Sequence, residues 1–200
     1  MRPLFKYLIY GSVALVIVAS VLFWFGGRKQ KISYTVRIKD SRAEVFRHLT
    51  DPELIKEWAK DVVSIEPLTE GGHREGAQAR MTIESEGRTL VFTDEVLATA
   101  KDQSRLLVRS NSDFLEYSSD YRLNESGDTT ELTVHVEYRF LGIYRFLGVV
   151  PGPAKAILEE DMEKLKKDVE STENLKTNDG EKASEKNKPD SDDQKKQPAN

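Results

Sequence analysis

The segment 131–140 restricts the fold more than any other stretch of the chain. Leu132, Val134, Val136, Tyr138 and Phe140 alternate with Thr133, His135, Glu137 and Arg139. A period of two belongs to a strand with one buried and one wet face. The same alternation runs through 77–84, where Ala77, Ala79, Met81 and Ile83 share a face, and continues in 88–98, 105–110 and 115–123. A further β-type run covers 62–68. The turn clusters 101–104, 110–113 and 124–128, with the glycines Gly71, Gly72 and Gly76, leave only short links between these runs. Short links exclude parallel neighbours, which need crossovers of about a dozen residues, so the series predicts antiparallel hairpins.

Helical patterns bracket this series. After a first β-type run at 32–38, Ser41 and Glu44 have capping-box spacing, with Val45, Phe46 and Leu49 on one helical face. Asp51 followed by Pro52 opens a second short helix carrying Leu54, Ile55 and Trp58. Beyond Pro153, the residues Ile157, Leu158, Met162, Leu165 and Val169 recur at helical spacing against a charged face. The predicted order is strand, two short helices, six strands and a long amphipathic helix. This is an α+β domain over 32–171, whose sheet must cover its apolar face with that last helix.

The ends of the chain differ from this middle. No Lys, Arg, His, Asp or Glu occurs in 7–27, and 8–25 matches the ~20 apolar residues that cross a hydrocarbon core of ~30 Å. Tyr7, Tyr10, Phe23, Trp24 and Phe25 mark its two ends, and Arg2, Lys6, Arg28, Lys29 and Lys31 flank it. Residues 1–31 therefore read as a transmembrane anchor with a basic flank, giving a single-pass protein that contacts the membrane through 7–27. The competing interpretation is a cleaved signal peptide, although the apolar run is longer than the usual ~7–15-residue signal core. The charge distribution does not fix the side on which the domain lies. Residues 172–200 hold interspersed charges, one Leu and no aromatic residue, the composition of a disordered tail.

Residues 32–171 contain 19 basic and 27 acidic residues, a balance that repels phosphate backbones and argues against a nucleic-acid partner. With no cysteine, the chain has no disulfide, thiolate metal site or Cys nucleophile. His48, His73 and His135 lack metal-ligand spacing, and no hydrolase elbow or nucleotide loop occurs. No cofactor and no metal are expected.

Three strings, 41–58 (SRAEVFRHLTDPELIKEW), 71–76 with its following strand, and 158–170 (LEEDMEKLKKDVE), resemble the helix-grip superfamily of START lipid-transfer domains, pollen-allergen-like proteins and polyketide cyclases. The resemblance covers essentially all of 32–171. It implies a curved seven-stranded antiparallel sheet wrapped around the long C-terminal helix, with a hydrophobic cavity between them. Inward strand parity then nominates Met81, Ile83, Phe92, Val96, Val108, Tyr117, Tyr121, Val134, Val136 and Tyr138 as lining. Phe46 and Trp58 fall near the entrance, and Ile157, Met162 and Leu165 come from the helix. A solid core is the alternative, because a buried apolar side chain gives the same sequence pattern in either case.

Asp94 shares the parity of Leu90, Phe92 and Val96, where a carboxylate is costly unless paired, hydrated or protonated. It is a weak acid–base candidate; a bulge that turns it outward, or a salt bridge at the sheet end, is the favoured expectation. The apolar connector 140–150 either packs the corner between strand and helix, closes the cavity mouth or dips toward a bilayer. The leading functional expectation is a membrane-tethered domain for a hydrophobic small molecule or lipid. A cyclase- or aromatase-like enzyme and a co-chaperone-like protein-interaction module are the alternatives.

Overall fold

A computed structural model of the protein describes residues 2–70, 72–149 and 152–185. Helix α1 (Arg2–Gly26) precedes a domain in the order β1 (Gln30–Ile38), α2 (Arg42–Thr50), α3 (Pro52–Trp58), β2 (Val62–Pro67), β3 (Gln78–Ser85), β4 (Arg88–Thr99), β5 (Arg105–Asn111), β6 (Leu115–Ser126) and β7 (Thr129–Phe140), and lies outside its sheet. A 3-10 segment, η1 (Gly142–Val149), then leads into α4 (Ala154–Glu185). The strands form one antiparallel sheet in the order β1-β7-β6-β5-β4-β3-β2. Only β1, the first strand in sequence, lies out of turn, and it pairs with the last one. The sheet curves around α4, which packs on β1, α2 and α3.

Local chemistry sets the helix ends. The Ser41 hydroxyl accepts from the Glu44 amide at 3.3 Å, and Asp51 both ends α2 and caps α3, accepting from the Glu53 amide at 2.9 Å. These bonds satisfy amide donors that have no partner inside a helix. The Trp58 indole then donates to the His48 carbonyl at 3.0 Å, fixing α3 against α2.

The solid core occupies one end of the grip. Ile38, Val45, Leu132, Val134, Leu165 and Val169 are fully buried there, where α2 and the middle of α4 press on β1, β7 and β6. Each such side chain contributes roughly 1.5–3 kcal/mol by leaving water. A second, smaller cluster of Val62, Met81 and Phe92 sits under β2–β4. Between the two clusters the sheet and helix separate. The α4 backbone continues through Glu185, beyond the boundary at 171 that composition suggests; the rest of the charged tail, 186–200, lies outside the described residues.

Candidate ligand-binding cavity

The separation of sheet and helix leaves a cavity of about 810 Å³, within the size range of small-molecule sites. Two rungs of the sheet run across it. Pairing places Asp94 opposite Ser110, Ser110 opposite Tyr117, Tyr117 opposite Tyr138 and Tyr138 opposite Gln30. The neighbouring rung is Val96, Val108, Ser119, Val136 and Ile32. Apart from Gln30, all of these line the cavity. Side chains directly opposite on one face sit about 5 Å apart, so the first rung is a polar band set in an apolar wall.

Asp94 corrects the favoured expectation from sequence. The bulge in β4 falls between Val96 and Ala98, two residues past the position that would have turned Asp94 outward, so Asp94 keeps its inward parity. One of its carboxylate oxygens, Oδ1, is buried without a hydrogen-bond partner. Burial raises its pKa to about 6, with the Ser110 hydroxyl working in the opposite direction. Asp161, on the cavity-facing side of α4, accepts from the Lys60 amide at 3.1 Å and is also raised to about 6 by burial. Burial pushes the Tyr121 phenol up to about 12 and raises that of Tyr117 as well. Both phenols therefore stay protonated donors at neutral pH. The cavity thus combines a mostly apolar lining with neutral hydroxyl donors and two carboxyl groups whose charge is disfavoured.

Of the residues nominated from sequence, Trp58, Met81, Ile83, Val96, Val108, Tyr117, Tyr121, Val136, Tyr138, Ile157 and Met162 line this space. Four do not. Val134 and Leu165 are fully buried in the solid end of the core, and Phe46 packs against that same cluster. Phe92 faces inward but lies beneath the rings of Phe114 and Tyr117, with centroids 5.8 and 5.6 Å away. Ser110, Ser119 and Asp161 line the cavity without having been nominated. Ser119 lies midway between Tyr117 and Tyr121, so strand parity alone could have found it. The histidines are dispersed: His48 is buried with Nδ1 2.9 Å from the Glu44 carbonyl, His73 lies in the β2–β3 loop beside the cavity, and His135 points away from it.

This fold and cavity define a helix-grip domain, and the comparisons with known proteins agree. Residues 29–170 match the family model described as polyketide cyclase / dehydrase and lipid transport, and the chain belongs to that family. A START superfamily protein from Mycobacterium smegmatis is similar in structure, at 23% identity and TM-score 0.56, over 72% of this chain and 98% of that one. A protein from Thermus thermophilus is similar at 21% identity and TM-score 0.57, over 71% and 95%. Ginseng major latex-like protein 151 from Panax ginseng is similar at 12% identity and TM-score 0.56, over 72% and 97%. At these identities the likeness establishes the fold. Among curated proteins no significant sequence match is found.

Proposed function

We propose that this protein is a membrane-tethered binding domain for a hydrophobic small molecule or lipid. The cavity of about 810 Å³ between sheet and α4 is the observation that carries this reading. Its dimensions suit one ligand, its apolar walls favour transfer of a greasy body out of water, and its polar band fixes the position of one polar group. With the Asp94 carboxyl, the Ser110 and Ser119 hydroxyls and the two tyrosines, that group is an uncharged hydroxyl, carbonyl or carboxylic acid rather than a phosphate. The tether is α1, whose Lys6–Gly26 segment is long and apolar enough to cross a bilayer and is largely exposed except at its last turn. In this reading 1–31 is the anchor, 32–171 the binding domain and 172–200 a solvated tail.

Native mass spectrometry of the full chain released from detergent micelles tests the reading. One apolar molecule retained per chain, and lost in a Val108→Trp variant that fills the cavity, supports it. A ligand-free chain that accepts no added fatty acid or sterol overturns it.

A second reading, an enzyme of the cyclase type, is favoured by one observation. Asp94 combines a pKa near 6 with a place on the same rung as Tyr117, with Ser110 between them, in a mostly apolar cavity, an arrangement suited to proton transfer. Turnover of a reactive polyketone surrogate that disappears in Asp94→Asn while the fold persists supports that reading. Equal turnover in both proteins removes Asp94 from it.

A further inference from the structure

The segment η1 carries more exposed apolar surface than anything else in the domain. Ile143 is 73% and Leu147 56% exposed, and Tyr144, Phe146 and Val149 are exposed beside them. A contiguous apolar patch on a folded domain marks a surface that something covers. The structure holds this patch firmly in place. The backbones of η1 and α1 touch: a Cβ on Gly26 would fall 1.7 Å from the Arg145 carbonyl oxygen, and one on Gly148 would fall 2.3 Å from that of Gly26. Only glycine permits this approach. Phe146 packs on Phe23 with ring centroids 5.5 Å apart. On the domain side, Gln30 donates to the Gly148 carbonyl at 2.9 Å and accepts from the Tyr138 hydroxyl at 2.9 Å, and the Tyr144 ring lies 5.5 Å from that of Phe114.

The depth of η1 relative to α1 follows from these contacts. At 1.5 Å per residue, the 21 residues of Lys6–Gly26 span about 32 Å, close to the ~30 Å of a hydrocarbon core. The last turn of α1, where Phe23 and Gly26 meet η1, therefore falls at the boundary between acyl chains and headgroups. The link to the domain has no slack: α1 ends at Gly26, β1 starts at Gln30, and the Arg28 amide folds back to the Phe25 carbonyl at 3.2 Å. The charges agree with that depth. Arg28 lies over the Trp24 and Phe25 rings at 4.5 and 4.3 Å, and Arg145 lies over Phe23 at 5.1 Å. Neither guanidinium has a carboxylate partner among the described residues, and Arg145 Nε is buried without an acceptor. Long basic side chains of this kind lay their stems on apolar surface and reach phosphates at the interface.

We propose that η1 is a bilayer-contact element, which seats Ile143, Tyr144 and Leu147 in the acyl–headgroup boundary beside the end of α1, with Arg28 and Arg145 directed to lipid phosphates. The inference rests on α1 being the membrane tether. Because η1 joins Phe140 to Ala154, both of which line the cavity, it places one end of the ligand space against the lipid surface.

The cysteine-free sequence allows a direct test with single nitroxide labels on the full chain in phosphatidylcholine–phosphatidylglycerol vesicles. Labels go at Ala14→Cys in α1, at Ile143→Cys and Leu147→Cys in η1, and at Val91→Cys on the exposed face of β4. Collision with oxygen against an aqueous nickel chelate reads depth. The proposal requires Ala14 deep in the core, Val91 in water, and both η1 labels about 5–10 Å inside the interface. A deep Ala14 with η1 labels as wet as Val91 overturns the proposal and leaves the tether intact. A wet Ala14 overturns the tether, and this inference falls with it. Dipolar broadening between η1 labels that disappears on dilution with unlabelled chain assigns the patch to a second copy and refutes lipid contact.

Discussion

Asp94→Asn has a sign that distinguishes an inward, desolvated carboxyl from a surface one. In the folded chain Asp94 holds its proton up to about pH 6, while the unfolded chain releases it near the ordinary 3.8. Between those values the native state binds more protons than the unfolded state, so stability falls as pH rises and then stays low above pH 6. The gap corresponds to about 3 kcal/mol at 1.36 kcal/mol per pKa unit, reduced to about 2–3 kcal/mol because part of the group still meets water in the cavity. The amide variant escapes this penalty. It is expected to match the wild-type chain below about pH 4 and to exceed it by about 2–3 kcal/mol above pH 7, or by about 6–12 °C in Tm. Near-UV circular dichroism melts of the full chain in nonionic detergent, taken between pH 4 and pH 8, measure the difference. A variant that is less stable than wild type at pH 7.5, or a gap that does not change with pH, refutes the buried carboxyl.

Other perturbations probe other parts of the structure. Trp58→Ala removes a large wall side chain and its bond to the His48 carbonyl, and should cost about 3–5 kcal/mol in the same melts. Ser41→Ala strips the cap of α2 and should cost about 0.5–1 kcal/mol, the low end of the range because the bond is 3.3 Å long. Gly26→Val forces side-chain atoms into the Arg145 carbonyl, so η1 should detach from α1 and trypsin should cut faster after Arg145; unchanged cleavage contradicts the close approach. Ser110→Ala removes the hydroxyl that opposes the rise in the Asp94 pKa, and carboxyl titration by NMR should show Asp94 protonated to still higher pH.

The order and type of the elements are legible because alternation in five runs, two further β-type runs, short links and two caps all point to one topology. Parity along each strand also separated inward from outward residues, as Val108, Tyr117 and Tyr138 illustrate. What parity does not encode is position along the groove. Val134 and Val136 share a face, yet one is sealed in the solid end and the other lines the cavity, because α4 presses close at Leu165 and stands off at Ile157. Asp94 departs from the favoured expectation for a related reason: nothing local says that the bulge in β4 falls after Val96 rather than before Asp94. The contact between α1 and η1 is a meeting of two backbones more than a hundred residues apart in sequence, and its only trace in the sequence is a glycine at each partner.

Photolabelling of the full chain in nanodiscs with a diazirine-bearing fatty acid, followed by peptide mapping, addresses the cavity most directly. The account predicts adducts on the lining residues of β3, β5 and β6, Met81, Val108 and Tyr117 among them, that are competed away by unlabelled fatty acid and absent in Val108→Trp. Adducts confined to α1 and η1, with none inside the grip, would contradict it.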